Sequence, residues 1–487
     1  MRQTLKRFVK LTAGYSPVTL LGPLLMIFLT PLYTRALEPA DYGVVDVSLT
    51  LFSLISGFLM LAMDQALNAH FFDGDDTYQR NLVTTALIYV SASGLLMTAM
   101  MAIVAVPLAQ TLFKDPGRRY IIYLLSVSTT AGTAYSLLNT ALRLRMSVKH
   151  VNTLGIAFLL TTVVNNILFV LVLRMKATGV VAATTLTNLI ACGLALILAN
   201  NVLRGSFSTR ILKPLIRTGA SLVPGAITGF LLLSVDRLLL TQYVSPSDIG
   251  LYSIANKLAT MLYVLFSAAW SAWWPLALQM AGKPDTTRQY AQMFEYFIAS
   301  SMLVSLALGT FAPEILILLT RRAYVPAAPY ALALMVYFGP LSFAFSSFQI
   351  GLYVKKKTHL ISVLFAISAT VNIALNLLLD PLIGVWGAVW ATVLSGGVLS
   401  TIAYFVSQQI FPVDYRLGRL FGLSAIYIGL TATFLLLPEQ SFPLKVGALF
   451  LFVITIVATG IVTLTQIKTA IILISIRISK MAQRNSM

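Results

Sequence analysis

From residue 13 onward the chain is a succession of apolar runs separated by short polar turns. Each run has about the 20 residues that an α-helix needs to cross ~30 Å of hydrocarbon. This leaves few folds open. A backbone in lipid has to satisfy its N–H and C=O groups internally, so only helices and closed barrels span membranes. The runs lack strand-like alternation, which argues against an outer-membrane barrel. Of 487 residues, 58% are hydrophobic and 10% charged, against roughly 25% charged in a soluble domain. The expected fold is an all-α polytopic membrane protein of about fourteen transmembrane helices. These lie near 13–35, 42–66, 83–106, 120–141, 152–173, 178–199, 218–241, 250–276, 292–319, 329–353, 360–380, 384–406, 419–437 and 444–466.

The net charge of +18 would suggest nucleic acid in a soluble protein. Here Lys and Arg gather in the loops on one side of the spans, and the positive-inside bias explains them. It puts both termini in the cytosol, in keeping with an even number of spans. The basic start, Arg2 to Lys10, precedes an apolar stretch too long for a signal peptide and without a small-residue cleavage site, so it is read as leading into the first span. Cys192 is the one cysteine and lies in an apolar run, so no intramolecular disulfide is available. His70, His150 and His359 are scattered without metal-ligand spacing.

The chain also repeats itself. In the polar hinge Arg35 to Gly43, Pro39, Asp41 and Gly43 recur, at one constant ungapped offset, as Pro246, Asp248 and Gly250. The same offset carries Pro17 onto Pro224, Gly22 onto Gly229 and Leu24-Leu25 onto Leu231-Leu232. Such self-similarity marks a duplicated unit. Span 1 maps onto span 7, six crossings later, so the copies run in the same direction. Parallel repeats of this kind build transporters with two rocking halves. The expected organisation is a six-helix lobe over 1–199, a cytosolic linker over 200–217, a second six-helix lobe over 218–406, and two additional helices with a basic cytosolic tail over 407–487. Pro17, Gly22, Pro23, Pro224, Gly225, Gly229, Gly339 and Pro340 fall inside spans, where they serve packing or permit bends.

Ionisable residues within spans are costly and mark functional sites. Asp46 and Asp64 lie in span 2, Asp236 and Arg237 in span 7, Lys257 in span 8, and Arg35 at the outer end of span 1. Helical rise places Arg35, Asp46, Asp236, Arg237 and Lys257 in the outer half of a shared cavity, with Asp64 near the cytosolic end. In the repeat, Thr30 matches Arg237 and Thr50 matches Lys257. The alternative for these charges is a structural ion pair, such as Asp236 with Lys257. Trp270, Trp273 and Trp274 read as an interfacial belt, or as a platform for sugars. Asp73-Gly74-Asp75-Asp76 is similar to the acidic metal-binding triplet of sugar-nucleotide transferases, yet acidic turn residues are common in loops. Lys355-Lys356-Lys357 reads as a positive-inside anchor touching anionic lipid. No catalytic triad, phosphate loop or metal cluster is found, and no loop is long enough for a soluble catalytic domain.

At this point the residues resemble a family. Tyr33-Thr34-Arg35-Ala36-Leu37-Glu38-Pro39-Ala40-Asp41-Tyr42-Gly43 is similar to the first hinge of the oligosaccharide flippases, also called polysaccharide biosynthesis proteins. So is Asp236-Arg237 followed by Ile249 to Lys257. This family belongs to the multidrug/oligosaccharidyl-lipid/polysaccharide exporter superfamily. The likeness is closest over 1–60 and 217–270. It implies a non-enzymatic, multi-pass flippase of the bacterial cytoplasmic membrane. The flippase moves a polyprenyl-pyrophosphate-linked oligosaccharide from the inner to the outer leaflet for surface polysaccharide such as lipopolysaccharide O-antigen. The sequence departs from the related peptidoglycan-precursor flippases, which place several arginines around the cavity in spans 1, 2 and 8. Here span 2 has none and span 8 has Lys257. Arg35, Arg237 and Lys257 are expected to attract the pyrophosphate. Asp46, Asp64 and Asp236 would balance charge or bind a coupling cation, H+ or Na+. No other cofactor is expected. Expected partners are the lipid-linked oligosaccharide, membrane lipids and polysaccharide polymerase machinery, with no nucleic acid. The alternatives are a cation-coupled multidrug exporter of the same superfamily and, further off, a membrane glycosyltransferase or polymerase.

Overall fold

A computed structural model describes residues 29–281, 285–437 and 441–461. Over these residues the chain is helical, without strands. Among the described residues, eleven helices are long and apolar enough to cross a membrane. Two more apolar helices, Thr209–Leu240 and Phe442–Ala458, accompany them. The expected all-α multi-pass fold is therefore observed. Pro17, Gly22 and Leu24-Leu25 of the repeat, and most of span 1, lie outside the described residues.

The chain forms two compact units. The first comprises Met1–Ser253, Ile317–Tyr324 and Asn376–Ala388; the second comprises Ile254–Leu316, Val325–Leu375 and Val389–Met487. In the first unit the helices are α1 (Pro39–Met60), α2 (Met63–His70), α3 (Asp76–Phe113), α4 (Arg119–Leu144), α5 (Val148–Asn166), α6 (Lys176–Leu198) and α7 (Thr209–Leu240), and it also holds the first turns of α8 (Pro246–Met280). Helix α4 packs between α3 and α6, and α1 lies against α4, α6 and α7. One core cluster here is largely aliphatic, built on Met63, Leu67, Leu82, Leu137 and Leu154.

The second unit holds α9 (Thr286–Thr310), α10 (Ala312–Leu319, all but its last turn), α11 (Ala328–Val336), α12 (Ser342–Val354), most of α13 (His359–Ile383) and α14 (Val385–Ile410), α15 (Leu417–Leu436) and α16 (Phe442–Ala458). Its core is aromatic: Phe297 stacks on Phe343, and Phe294, Phe348, Tyr404 and Tyr415 meet edge to face or tilted. Between α11 and α12 the chain makes a π-turn, Tyr337–Leu341. Pro340 cannot donate to the helical ladder, and the Ser342 hydroxyl donates to the Tyr337 carbonyl at 2.6 Å, satisfying it within the bulge.

Both copies of the hinge start a helix by the same chemistry. Pro39 occupies the first turn of α1 and Pro246 begins α8, where the missing N–H costs nothing. Asp41 and Asp248 sit in these first turns, favourably placed on the positive end of the helix dipole. In the second copy Ser245 and Asp248 bond reciprocally, the Ser245 N–H donating to Asp248 Oδ2 at 3.3 Å and the Asp248 N–H donating to Ser245 Oγ at 3.3 Å, a capping box. In the first copy Glu38 instead reaches Arg321 at 3.1 Å.

Several helix ends differ from the sequence expectation. Span 2 is broken: Leu61 and Ala62 adopt left-handed backbone, with φ of 47° and 49°, before α2 begins. Helix α3 runs 38 residues, about 57 Å at 1.5 Å per residue. It extends beyond the expected 83–106 because Asp75 caps the Tyr78 N–H at 2.8 Å and Asp76 pairs with Arg80 and Arg145. Helix α7 starts at Thr209 rather than near 218.

Candidate functional site

The offset of the duplication reappears as a physical contact. The Ser253 hydroxyl donates to Asp46 Oδ2 at 2.7 Å across a separation of 207 residues, which is the offset that carries Pro39 onto Pro246. Equivalent residues of the two copies therefore meet, and a local two-fold axis passes between the starts of α1 and α8. One turn earlier the backbones touch at Gly43 and Gly250. A Cβ on Gly43 would overlap the Pro246 carbonyl and lie 2.9 Å from the Gly250 nitrogen; one on Gly250 would overlap the Pro39 carbonyl and lie 3.1 Å from the Gly43 nitrogen. Two glycines are required because the close approach is reciprocal.

The charges of α1 and α7 gather beside this crossing. Arg237 Nε lies 2.7 Å from Asp46 Oδ2, and Arg237 Nη1 lies 4.0 Å from Asp236 Oδ1. Asp236 also accepts the Arg237 backbone N–H at 2.8 Å and the Tyr252 hydroxyl. Asp46, Asp236, Tyr252 and Ser253 are all buried. Breaking a buried ion pair by removing one partner costs about 3–5 kcal/mol, because a charge is left uncompensated. The charges answer one another: one guanidinium lies beside two carboxylates, and two hydroxyls from α8 donate to them.

A third carboxylate stands apart in character. Asp380 on α13 is 1% exposed, and among the described residues neither of its carboxylate oxygens has a hydrogen-bond partner. Asn376, one turn earlier on the same helix face, is buried with it. An isolated charge at such a site carries a large desolvation cost. The arrangement therefore suits a proton or a small cation bound by oxygen ligands. Sequence reading passed over Asp380 because it falls on the last residue of the expected span 360–380.

The expected site residues divide as follows. Asp46, Asp236 and Arg237 come together. Lys257 is half-buried on α8, four residues after Ser253 and so on the same helix face. Arg35 is exposed and apart from the cluster, its guanidinium donating to the Leu318 carbonyl at 3.3 Å. The residues 29–36 end their helix at the hinge, and Arg35 points out there. Asp64 is half-buried in the first turn of α2, beyond the break at Leu61–Ala62, where the helix dipole rather than a cavity favours its charge.

Other sequence features have structural roles. Trp270, Trp273 and Trp274 join the aromatic core, against Phe297 and Phe343, Tyr290, and Tyr353 respectively. Each is packed against ring neighbours rather than standing as a free stacking platform. Asp73-Gly74-Asp75-Asp76 caps α3 and pairs with His70, Arg80 and Arg145.

Residues 32–273 match the family model described as polysaccharide biosynthesis protein, a stretch that carries both hinges and the Asp46–Arg237–Asp236 cluster. No curated protein matches the chain in sequence. Among solved structures the chain resembles the lipid II flippase MurJ in an inward closed conformation. The TM-score is 0.67 at 12% identity, covering 92% of this chain and 97% of that one. It also resembles a multidrug resistance MATE family transporter of the MOP superfamily in an inward-facing conformation, with TM-score 0.60 at 14% identity, covering 78% and 92%. A MOP superfamily transporter from Pyrococcus furiosus Vc1 gives TM-score 0.51 at 15% identity, covering 82% and 93%. At such identities the likeness is one of fold. The expected resemblance to the polysaccharide biosynthesis protein family is borne out, and the solved structures that the chain resembles in fold are described as a flippase and transporters.

Proposed function

We propose that this protein is a flippase for a polyprenyl-pyrophosphate-linked oligosaccharide. It moves the molecule from the inner to the outer leaflet of the bacterial cytoplasmic membrane for surface polysaccharide synthesis. Pyrophosphate and sugars cannot cross hydrocarbon unaided, because unpaired charge and unsatisfied polar groups are costly there. Alternating access of two lobes supplies fixed polar groups while the lipid tail stays in the bilayer. The observation that carries this reading is the buried Asp46–Arg237–Asp236 cluster, built from both copies of the repeat. A multi-pass protein keeps such charges among apolar helices only at high cost. The Lys and Arg bias supports cytosolic termini.

On this reading the cluster implies an order of events. Arg237 is shared between two carboxylates, so it receives a pyrophosphate only when the bond to Asp46 is given up. Lys257 and Arg35 are the other cations of the proposed path. A coupling cation, H+ or Na+, finds its oxygen ligands at Asp380 and Asp236, with Asn376 alongside. Asp64, outside the cluster, has at most an accessory part in balancing charge.

The test uses cells depleted of the protein. Polyprenyl-linked oligosaccharides are extracted, and an impermeant probe on intact spheroplasts reports which leaflet holds them. Accumulation in the cytosolic leaflet, reversed by the wild-type chain, is the expected result. Normal distribution together with raised retention of a cationic dye turns the reading to multidrug export and makes Asp46, Asp236 and Asp380 its main site.

A further inference from the structure

We infer that one end of the second compact unit carries a binding site for an anionic phospholipid with hydroxyl donors in its headgroup, of the phosphatidylglycerol type. The inference stands apart from the proposed function: it concerns one unit alone and needs no transport.

The site is a groove of about 660 Å³ where the start of α9 meets the end of α14 and the chain that leads on to α15. Its floor is fixed. Gln408, on the last turn of α14, pairs twice with one residue of the connecting chain. Its Nε2 donates to the Val413 carbonyl and its Oε1 accepts the Val413 N–H, both at 2.7 Å. Two residues on, Tyr415 is buried, its ring centroid 4.7 Å from that of Phe294 and 5.1 Å from that of Phe348. The connection is thus anchored in the aromatic core, and the groove beside it is preformed, as ligand sites usually are.

The groove changes character along its length. Tyr404, Phe405 and Pro412 give one part an apolar lining, and Phe405 is 59% exposed. Phe405 lies five residues before the end of α14, ~7.5 Å along the axis and about the depth of the interfacial layer on one side of a bilayer. Thr287, Gln408 and Asp414 line the other part, and cations gather there. Arg288 adjoins Thr287, Arg416 donates its backbone N–H to Asp414 at 3.3 Å, and Lys355 Nζ stands 6.0 Å from the Phe411 ring centroid. With Lys356, Lys357 and Arg419, the stretches 285–288, 354–359 and 411–419 hold six cations against two acids, Asp285 and Asp414.

That order of surfaces matches one class of molecule. A soluble phosphate gains nothing from an exposed aromatic wall, and a wholly apolar chain gains nothing from the cations. A phospholipid joins the two: its acyl chain lies against Tyr404 and Phe405, and its phosphodiester meets Lys355 and Arg416. Basic clusters beside a span, on the side that the Lys and Arg bias assigns to the cytosol, attract anionic lipid. Asp414 narrows the choice. Its carboxylate repels a phosphate monoester but accepts hydrogen bonds from hydroxyls beyond the phosphate, as a glycerol headgroup offers. The lysine run that the sequence marks as a lipid anchor is then one rim of a selective site.

The test is native mass spectrometry of the purified full-length protein in detergent, titrated with dioleoyl phosphatidylglycerol, phosphatidylcholine or phosphatidic acid. The wild-type chain should retain one phosphatidylglycerol several-fold better than phosphatidylcholine. Lys355→Gln with Arg416→Gln should abolish that preference. Lys357→Gln with Arg419→Gln, both on exposed side chains, should reduce it several-fold and carries the test where the first pair fails to accumulate. Phe405→Ala should weaken retention of all three lipids. Asp414→Asn should narrow the margin of phosphatidylglycerol over phosphatidic acid; an unchanged margin would remove the hydroxyl-bearing headgroup from the assignment. Equal retention of phosphatidylglycerol by the wild type and both cation-neutralised pairs would overturn the site. Displacement of the lipid by inorganic phosphate would also overturn it, marking the cluster as a receptor for soluble anions.

Discussion

Each compact unit contains a buried ion pair, and the two pairs are built on opposite principles. In the first unit Arg237 is shared by Asp46 and Asp236, with Tyr252 and Ser253 filling further lone pairs. In the second, Lys445 on α16 lies 2.6 Å from Glu314 on α10. Lys445 is 3% exposed and its ammonium sits 5.5 Å from the Phe311 ring centroid, whereas half of the Glu314 side chain reaches the surface. The first is a network in which each member has several partners and can exchange one of them. The second is a single bond that pins α16 onto α10. The difference separates charges placed for motion from charges placed for anchorage.

The largest effect that would sharpen this contrast comes from Arg237→Met. It leaves two buried carboxylates without a counter-charge, so it should cost about 3–5 kcal/mol and deplete the protein from membranes, as quantitative immunoblotting would show. Adding Asp46→Asn should restore much of the protein but leave export at least about tenfold down, equivalent to ~1.4 kcal/mol of barrier. Recovery of export together with protein level would reduce the cluster to anchorage and break the contrast.

The second unit should behave otherwise. Glu314→Gln strands a buried ammonium and should cost several kcal/mol, while Lys445→Met leaves a carboxylate that water can reach and should cost about 1 kcal/mol or less. The double variant should recover both thermal stability and export. Equal costs for the two single variants would show that exposure of Glu314 does not govern the pair.

Asp380→Asn removes a buried carboxylate that has no hydrogen-bond partner among the described residues. It should raise the melting temperature, or leave it unchanged, while export loses its dependence on the ion gradient. A marked fall in stability would show that the carboxylate is held structurally. The smallest effect on export is expected from Ser253→Ala, which costs one hydrogen bond, about 1.5–3 kcal/mol for a bond to a charged acceptor. It should slow export a few-fold at unchanged protein level.

Much of this architecture was legible in the sequence, because lipid imposes length and polarity on every span. Asp46, Asp236 and Arg237 stood out as charges inside apolar runs, and the duplication placed them on facing helices. What escaped were features set by helix ends and packing. The left-handed residues Leu61 and Ala62 are not turn formers, and nothing in their identity signals the break that separates Asp64 from the cluster. Arg35 missed the cluster because its helix ends just after it at the hinge, turning the side chain out. Glu295, buried at 3% exposure within α9, was passed over although it lay inside an expected span. Lys445 was passed over at the edge of the expected span 444–466, and its partner is 131 positions away. The three tryptophans were read by their place along the span, whereas the aromatic residues of α9 and α12 claimed them.

The pairing of Asp46 with Ser253 also constrains how such a chain can have arisen. A residue on a two-fold axis meets its own copy when the two halves are identical. In a homodimer of the first half, Asp46 would face a second Asp46, two carboxylates repelling one another in a nonpolar setting. In a homodimer of the second half, two serines would meet and no charge would be bound at all. An acid facing a hydroxyl, with the arginine supplied by one side only, needs halves free to diverge. Joining them in one polypeptide makes that divergence possible: the backbone crossing keeps the ancestral symmetry, and the chemistry laid over it has abandoned it.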